Sequence, residues 1–127
     1  MSKKTNNTML FTENHEWIRV DGDIATLGIT QFAQGELGDI VYFDFPDVGA
    51  SHPAEDSVAV VESVKTVSDI YMPVAGTITE INPTLDEEPD LANTSPENEG
   101  WIFKFKIDDK KELKKLLSDE QYRELNQ

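Results

Sequence analysis

Most of the chain consists of short apolar runs separated by turn residues, and within the runs apolar and polar positions tend to alternate. That period of two is the pattern of a β-strand with one buried face. The runs occupy residues 9–11, 17–20, 24–29, 40–45, 58–64, 66–70, 76–81 and 101–107. In the last run, one predicted face carries Trp101, Phe103, Phe105 and Ile107, and the other carries Lys104 and Lys106. The sequence therefore predicts a mainly β fold, either a sandwich or a flattened barrel.

A short helix is predicted near residues 30–35, where the alternation stops. Thr30 is a favourable N-cap, and Gly35 or Gly38 is suited to end the helix. A second helical region is predicted over residues 109–126. Leu113, Leu116 and Leu117 have helical spacing in this region. Two capping pairs are present, Asp109 with Glu112 and Ser118 with Gln121.

The remaining segments are polar and define the predicted domain organisation. Residues 1–8 are expected to be a flexible N-terminus, and residues 9–127 a single domain. The acidic segment 86–100 is predicted to be a loop, with Pro89 opening at most one helical turn.

The two runs within residues 58–70 meet at one lysine. If the chain folds back between Val64 and Lys65, Glu62 lies opposite Val67 and the pair forms an antiparallel hairpin. Lys65 then lies at the tip, with its amine in solvent. An exposed lysine is usually only a solubilising residue, but no other basic residue occurs between Arg19 and Lys104. Lys65 is therefore a candidate for modification.

The overall charge limits the kinds of partner. The formal net charge is −14, which disfavours binding to nucleic acid phosphates or anionic membranes and favours partners with basic surfaces. There is no cysteine, so thiolate chemistry of the chain itself is excluded. A cytoplasmic protein is expected, because no apolar run has the length of a membrane span and the first residues lack the apolar segment of a secretory signal.

The residues offer few other candidates for catalysis. His15 and His52 are the only histidines, and neither has the spacing of a metal motif, so no metal site is predicted. His15 is interpreted as structural or cleft-lining, and His52 as a surface residue. The chain is therefore not expected to be an enzyme.

The hairpin is similar to the lipoylation segment of glycine cleavage system H proteins. The similar residues are Glu-Ser-Val-Lys at 62–65, Ser-Asp-Ile at 68–70 and Pro-Val-Ala-Gly at 73–76. Further residues match this family in order and spacing, namely 15–17, 28–30, 33–34, 37–41, 46–49, Asn82 and 99–101. The resemblance covers the chain from about Phe11 to the C-terminal helical region.

The resemblance implies a lipoyl/biotinyl-type hybrid fold in which Lys65 is amide-linked to lipoic acid. From the hairpin itself, Glu62 and Asp69 are expected to flank this lysine. In this family the lipoyl arm takes the aminomethyl group of glycine from a pyridoxal-phosphate glycine decarboxylase to a tetrahydrofolate-dependent aminomethyltransferase. A dihydrolipoyl dehydrogenase then reoxidises the arm, and a lipoyl-attaching enzyme installs it. The chain itself would be a non-enzymatic carrier, monomeric and forming transient complexes with these enzymes.

The resemblance also implies a cleft on the carrier that shelters the loaded arm. The matching positions are Glu16 and Asp69, whose carboxylates would accept hydrogen bonds from the cationic amine, with Asn14 and Ile29 as weaker candidates. The alternative for Glu16 is an ordinary exposed carboxylate in a loop.

One segment departs from the family pattern, because residues 96–101 lack the tyrosine that commonly precedes the Gly-Trp pair. Among other functions, a lipoate reservoir or relay for 2-oxoacid dehydrogenases would need the same hairpin and stays open. A biotin carrier is disfavoured, since Val64 and Thr66 flank the lysine where such carriers have methionines. A hydrolase built on His15 is also disfavoured.

Overall fold

A computed structural model describes residues 9–126, and the predicted flexible segment 1–8 lies outside the described residues. The strands are β1 (Met9–Phe11), β2 (Glu16–Asp21), β3 (Ile24–Ile29), β4 (Ile40–Asp44), β5 (Ser51–His52), β6 (Ser57–Ser63), β7 (Val67–Tyr71), β8 (Gly76–Ile81) and β9 (Phe103–Ile107). The helices are α1 (Gln31–Leu37), α2 (Pro83–Glu87), α3 (Leu91–Thr94), a 3-10 helix (Lys110–Lys115) and α4 (Asp119–Leu125). The predicted mainly β fold is confirmed.

The strands form two antiparallel sheets that are not closed into a barrel. One has six strands in the order β1-β2-β3-β9-β8-β5, and the other has three in the order β4-β6-β7. Apolar side chains from both sheets pack between them, among them Ile18, Leu27 and Phe103 from the larger sheet and Phe43, Val61 and Ile70 from the smaller one. The core therefore lies between the sheets, as expected of a sandwich.

The predicted faces of β9 need one correction. Phe103, Phe105 and Ile107 are buried, as the alternation predicts, and Lys104 and Lys106 are not. Trp101, however, lies outside the strand and is only partly buried, whereas its neighbour Ile102 is fully buried and donates its N–H to the Leu27 carbonyl at 2.7 Å. The chain therefore approaches the sheet at residue 102.

The prediction of a loop over residues 86–100 is partly wrong. The helix α2 begins at Pro83, because the Asn82 side chain caps the Thr84 N–H and proline is favourable in the first turn. It buries Leu85 completely. The helical turn expected after Pro89 is present as α3. Leu85 of α2 and Ala92 of α3 are both fully buried, and they anchor this acidic segment to the core.

The C-terminal helical region is present but is not continuous. Asp109 caps a 3-10 helix, as its side chain accepts from the Lys111 N–H, and that helix stops at Lys115. Leu117 instead forms an isolated β-bridge with Phe11. The predicted capping box of Ser118 and Gln121 is observed, and it starts α4. Pairing with β1 thus interrupts the helical spacing of the leucines.

The predicted boundaries of α1 are nearly correct. The Thr30 side chain accepts from the Ala33 N–H, and the helix ends at Gly38 rather than Gly35. Gly38 has φ 79°, a conformation that glycine tolerates without strain. This end of the helix lies against the lysine hairpin.

Candidate functional site

The hairpin that presents Lys65 has the predicted register. Glu62 pairs with Val67, and the Ser63 N–H donates to the Thr66 carbonyl at 2.8 Å. Within the turn, the Ser63 hydroxyl accepts from the backbone N–H groups of Lys65 and Thr66 at 3.3 and 3.2 Å. The Val64 N–H donates to the Asp39 carbonyl at 2.9 Å, which ties the tip to the body of the protein. The Lys65 side chain is exposed on this well-defined turn.

The stem of Lys65 lies over the end of α1. A Cβ atom added to Gly38 would lie 3.4 Å from Lys65 Cε and 4.0 Å from its Nζ. These are ordinary contact distances, so glycine is favoured at this position by its positive φ rather than by lack of space. The sequence did not predict this contact. It directs the lysine toward the helix that borders the neighbouring cavity.

That cavity has a volume of about 210 Å³ and lies between α1, β2 and the edge strand β7. It is lined by Asn14, His15, Glu16, Ile29, Phe32, Ala33, Glu36, Leu37, Val61, Ser68, Asp69 and Ile70. All four residues predicted to form a cleft are among them, although they come from separate segments of the chain. Glu62, which was predicted beside Lys65, is not. We call this cavity the cleft.

Glu16 is the most unusual residue of the cleft, because its carboxylate is buried. It is 2% exposed, so the alternative of an ordinary loop carboxylate is wrong. Its Oε1 accepts from the Thr12 hydroxyl at 3.0 Å, and its Oε2 accepts from the Tyr71 N–H at 2.8 Å. Burial raises the pKa of Glu16 to about 7, although both hydrogen bonds act in the opposite direction.

The Tyr71 contact also has a structural role. Glu16 begins β2 of the larger sheet, whereas Tyr71 ends β7 at the edge of the smaller sheet. An edge strand leaves backbone groups unpaired, and a buried unpaired N–H costs about 1–3 kcal/mol. The carboxylate therefore joins the two sheets where they border the cleft.

Asp69 lines the cleft and forms no ion pair with the lysine amine. It pairs with Val60 across the hairpin, and its Oδ1 accepts from the Ser57 hydroxyl at 3.2 Å. Among residues 9–126, ion pairs are seen at His52–Asp56, Lys104–Glu80 and Arg123–Asp119, and Lys65 takes part in none of them. Neither Glu62 nor Asp69 therefore holds the Lys65 amine in this structure.

His15 lines the cleft through a hydrogen-bonded network that the sequence did not reveal. Its Nδ1 lies 2.8 Å from the Tyr122 hydroxyl, which in turn lies 2.7 Å from the hydroxyl of the buried Thr30. The ring also packs against Phe32, with centroids 4.5 Å apart. Its φ of 67° is rare for a residue with a side chain, so these contacts hold a strained backbone.

The electrostatics of this network suit a cationic guest. Burial lowers the pKa of His15, while the nearby Glu36 carboxylate acts to raise it. At neutral pH the imidazole is therefore mainly uncharged, and it adds no positive charge to a cleft that contains Glu16, Glu36 and Asp69. Phe32, Glu36 and Leu37 form the side of the cleft that belongs to α1. The four-residue spacing of Phe32 and Glu36, which places them on one face of a helix, was the signal in the sequence.

The segment that lacks the family's tyrosine is nonetheless attached to the body. The Trp17 indole N–H donates to the Pro96 carbonyl at 2.9 Å, and Arg19 donates to the Glu97 carbonyl at 3.0 Å. The Glu97 side chain accepts from the Gln31 N–H at the start of α1 at 2.8 Å. Backbone carbonyls and one carboxylate thus fix this loop.

A larger cavity of about 550 Å³ shares Asn14 and Glu16 with the cleft, but its lining includes neither Asp69 nor any residue of α1. The other histidine, His52, lines neither cavity, and its Nδ1 lies 2.7 Å from Asp56 Oδ2. Among the described residues, no group of three or more His, Asp or Glu is arranged to hold a metal ion. Within the same residues, no helix is long and apolar enough to cross a bilayer. The expected cytoplasmic location stays a prediction.

Comparison with known proteins confirms the resemblance seen in the motifs. A family profile described as Glycine cleavage H-protein matches residues 9–127. The chain is 50% identical over 114 residues to the glycine cleavage system H protein of Halothermothrix orenii, which covers 90% of this chain and 89% of that protein. Identity to the protein of the same name from Thermotoga maritima is 47% over 114 residues, with 90% and 92% covered.

The fold agrees with this assignment. A crystal structure of a glycine cleavage system H protein from Mycobacterium marinum matches with a TM-score of 0.82 and 32% identity, covering 94% of this chain and 97% of that one. Sequence and fold therefore agree that the chain belongs to the glycine cleavage H-protein family.

Proposed function

We propose that Lys65 is the attachment point for lipoic acid and that the cleft shelters the aminomethyl-loaded arm. The family assignment makes the chain a lipoyl carrier in glycine cleavage. The observation that supports the site is the position of an exposed lysine beside a cleft that contains all four predicted residues. When attached, the lipoyl group supplies a disulfide whose sulfur carries the aminomethyl unit.

The hairpin provides the attachment. The Ser63 hydroxyl makes three hydrogen bonds to backbone groups of the turn, so the backbone at Lys65 is held in a defined conformation. The amine extends from the tip without an ion pair and is free to be acylated. The stem of the lysine lies over the adjacent Gly38.

The cleft provides the shelter. A primary amine bound there is cationic at neutral pH, and the carboxylates of Glu16 and Asp69 would accept its hydrogen bonds. Charge-assisted bonds of this kind contribute about 1.5–3 kcal/mol each. Asn14 and Ile29 would line the cleft beside the arm, Asn14 with a polar side chain and Ile29 with an apolar one. Because Glu16 has a pKa of about 7, a cation beside it also favours the ionised carboxylate.

This assignment implies four enzyme partners, three that act on the lipoyl arm and one that attaches it. They are glycine decarboxylase, the aminomethyltransferase, dihydrolipoyl dehydrogenase and the lipoyl-attaching enzyme. The chain acts as a carrier without catalysing their reactions, and a monomer suits transient docking to each in turn. Its net charge of −14 favours partners with basic docking surfaces.

The proposal is tested by loading the protein with label. The lipoylated chain is incubated with glycine labelled at the α-carbon and purified glycine decarboxylase, and intact mass is measured. We expect a lipoyl increment at Lys65 and then transfer of label, with neither in Lys65→Arg. A lipoylated chain that acquires no label would instead identify a lipoate reservoir or relay, and an unmodified Lys65 in a lipoate-replete host would overturn the attachment site.

A further inference from the structure

Large apolar side chains are exposed mainly around the lysine hairpin. Among the described residues, the exposed large hydrophobic side chains are Phe32, Val41, Tyr42, Val48, Val64, Val67 and Leu125. Four of these seven belong to the small three-stranded sheet and its turn: Val41, Tyr42, Val64 and Val67, exposed by 49%, 53%, 68% and 63%. We call these four residues the tip patch. Single exposed apolar residues need no explanation, but a concentration of them does.

A β-bulge produces half of the tip patch. Ile40 pairs with Ser63 and Tyr42 with Glu62, so β4 advances two residues while β6 advances one. Val41 is the extra residue. As a result Val41 and Tyr42 are both exposed, although neighbours in a regular strand point to opposite faces. The core is not disturbed, since Ile40 and Phe43 on either side remain buried.

The strand register places two residues of the tip patch, Tyr42 and Val67, in one row next to the lysine turn. Tyr42, Glu62 and Val67 form one row across the three strands, because Glu62 pairs with both of the others. Val64 follows the end of β6 and precedes Lys65 in the turn, where its side chain is exposed. Lys65 lies between Val64 and Val67 in the chain. The tip patch is therefore a group of exposed apolar residues around Glu62 at the end of the sheet that carries Lys65.

We propose that the tip patch is the docking surface for the enzyme that acylates Lys65. This inference rests on the proposed attachment site. Acylation requires the Lys65 Nζ itself to enter an active site, so the surface around the hairpin tip must contact that enzyme. The later partners act at the far end of the lipoyl arm, and they do not need to cover the tip. Acylation of Lys65 is therefore the step in which the tip patch must be covered by a partner.

Charge further defines this partner. Glu62 lies within the row, Asp39 is bonded to the tip through its carbonyl, and Asp44 is exposed at the end of β4, while Lys65 is the only basic residue between Arg19 and Lys104. The matching surface is expected to be apolar at its centre, with Arg or Lys around it. The rate of acylation should therefore fall as salt concentration rises.

The test measures lipoylation of the unmodified full-length chain by purified lipoate–protein ligase with lipoate and ATP. The variants are Val67→Thr and the double variant Tyr42→Thr with Val67→Thr, in which threonine supplies a β-branched residue that suits a strand. The matched control is Val48→Thr, since Val48 is 60% exposed in a turn outside the small sheet. Thermal unfolding of each variant verifies the fold.

We expect kcat/KM for lipoylation to fall about tenfold in the double variant, mainly through KM, and to be unchanged in the control. Equal kcat/KM in the double variant and Val48→Thr would overturn the docking surface while leaving Lys65 as the attachment site. So would a variant that is lipoylated normally but loaded poorly by glycine decarboxylase, because the tip patch would then serve that enzyme. Failure of the wild-type chain to be acylated at Lys65 would overturn the attachment site itself.

Discussion

The turn around Lys65 is shaped by hydrogen bonds between residues two or three positions apart. The cleft depends on bonds between residues much farther apart, such as Tyr71 with Glu16 at 55 positions and Thr30 with Tyr122 at 92. The hairpin is therefore a local structure, and the cleft exists only when both sheets and α4 are in place. Attachment of the arm and shelter of the arm should consequently respond to different substitutions.

The largest effect is expected for a substitution of Lys65, which should affect the hairpin and leave the cleft unchanged. Lys65→Arg removes the amine that can be acylated but keeps the positive charge and most of the stem. We expect complete loss of lipoylation with an unchanged thermal unfolding midpoint, because the side chain is exposed and makes no ion pair in the structure. Intact mass and calorimetry measure the two results. A lipoyl increment that persists in this variant would place the attachment elsewhere.

The second prediction concerns the buried carboxyl of the cleft. The folded-state pKa of Glu16 is raised from 4.5 to about 7, so between these values the folded chain holds a proton that the unfolded chain has lost. The free energy of unfolding therefore falls as pH rises through this window, by about 3 kcal/mol from this group when complete. Below this window the buried carboxyl is protonated and costs no stability, and above it the full cost of burying the ionised carboxylate is present.

Urea denaturation of the unmodified chain at about pH 5 and about pH 8 tests this, with Glu16→Gln as the reference. The amide keeps a hydrogen-bond acceptor for the Tyr71 N–H and does not titrate. We expect the wild-type chain to lose stability relative to Glu16→Gln between the two pH values. If the free energy of unfolding of the wild type relative to Glu16→Gln were the same at both pH values, Glu16 would be ionised throughout this range.

A third prediction tests whether shelter depends on the cleft alone. Glu16→Gln and Asp69→Asn should each speed decay of the aminomethyl-loaded form by about tenfold, corresponding to one charge-assisted bond. Their rates of lipoylation should match the wild type, since neither residue contacts the lysine amine. Decay is followed by mass after removal of glycine. Unchanged decay in both variants would mean that the cleft does not hold the amine.

The smallest effect is expected at the edge of the cleft. Tyr122→Phe keeps the ring that stacks on Phe11 at 4.7 Å but removes the hydroxyl shared by His15 and Thr30. We expect a loss of about 1 kcal/mol in the free energy of unfolding and a modest increase in decay of the loaded form. Thr30→Val removes the hydrogen bond to Tyr122 and also the N-cap of α1, so it should cost more stability than Tyr122→Phe.

Much of the fold was predictable because its signals are local. Alternation identified every strand except the two-residue β5, the Ser118 and Gln121 pair identified the start of α4, and the two runs around Lys65 identified the hairpin with its register. The loop predicted over residues 86–100 shows the limit of such signals. There Asn82 caps α2, and burial of Leu85 outweighs the acidic composition.

The cleft was predictable only through resemblance to a family. Nothing near Glu16 in the chain indicates burial, which arises because Tyr71 at the end of β7 is brought against it. His15 likewise obtained its partner from α4, far along the chain. Residues at such separation meet only through packing of the sheets, and alternation does not specify which strands pack together.

The sequence alone determined the hairpin and the lysine at its tip, because turn propensity and a period of two act between near neighbours. Tertiary structure decided the environment of that lysine. It placed Gly38 under the lysine stem, buried the Glu16 carboxyl, and used a bulge in β4 to expose Val41 with Tyr42. These features depend on contacts between distant segments, whose free energy is realised only when the two sheets enclose one core.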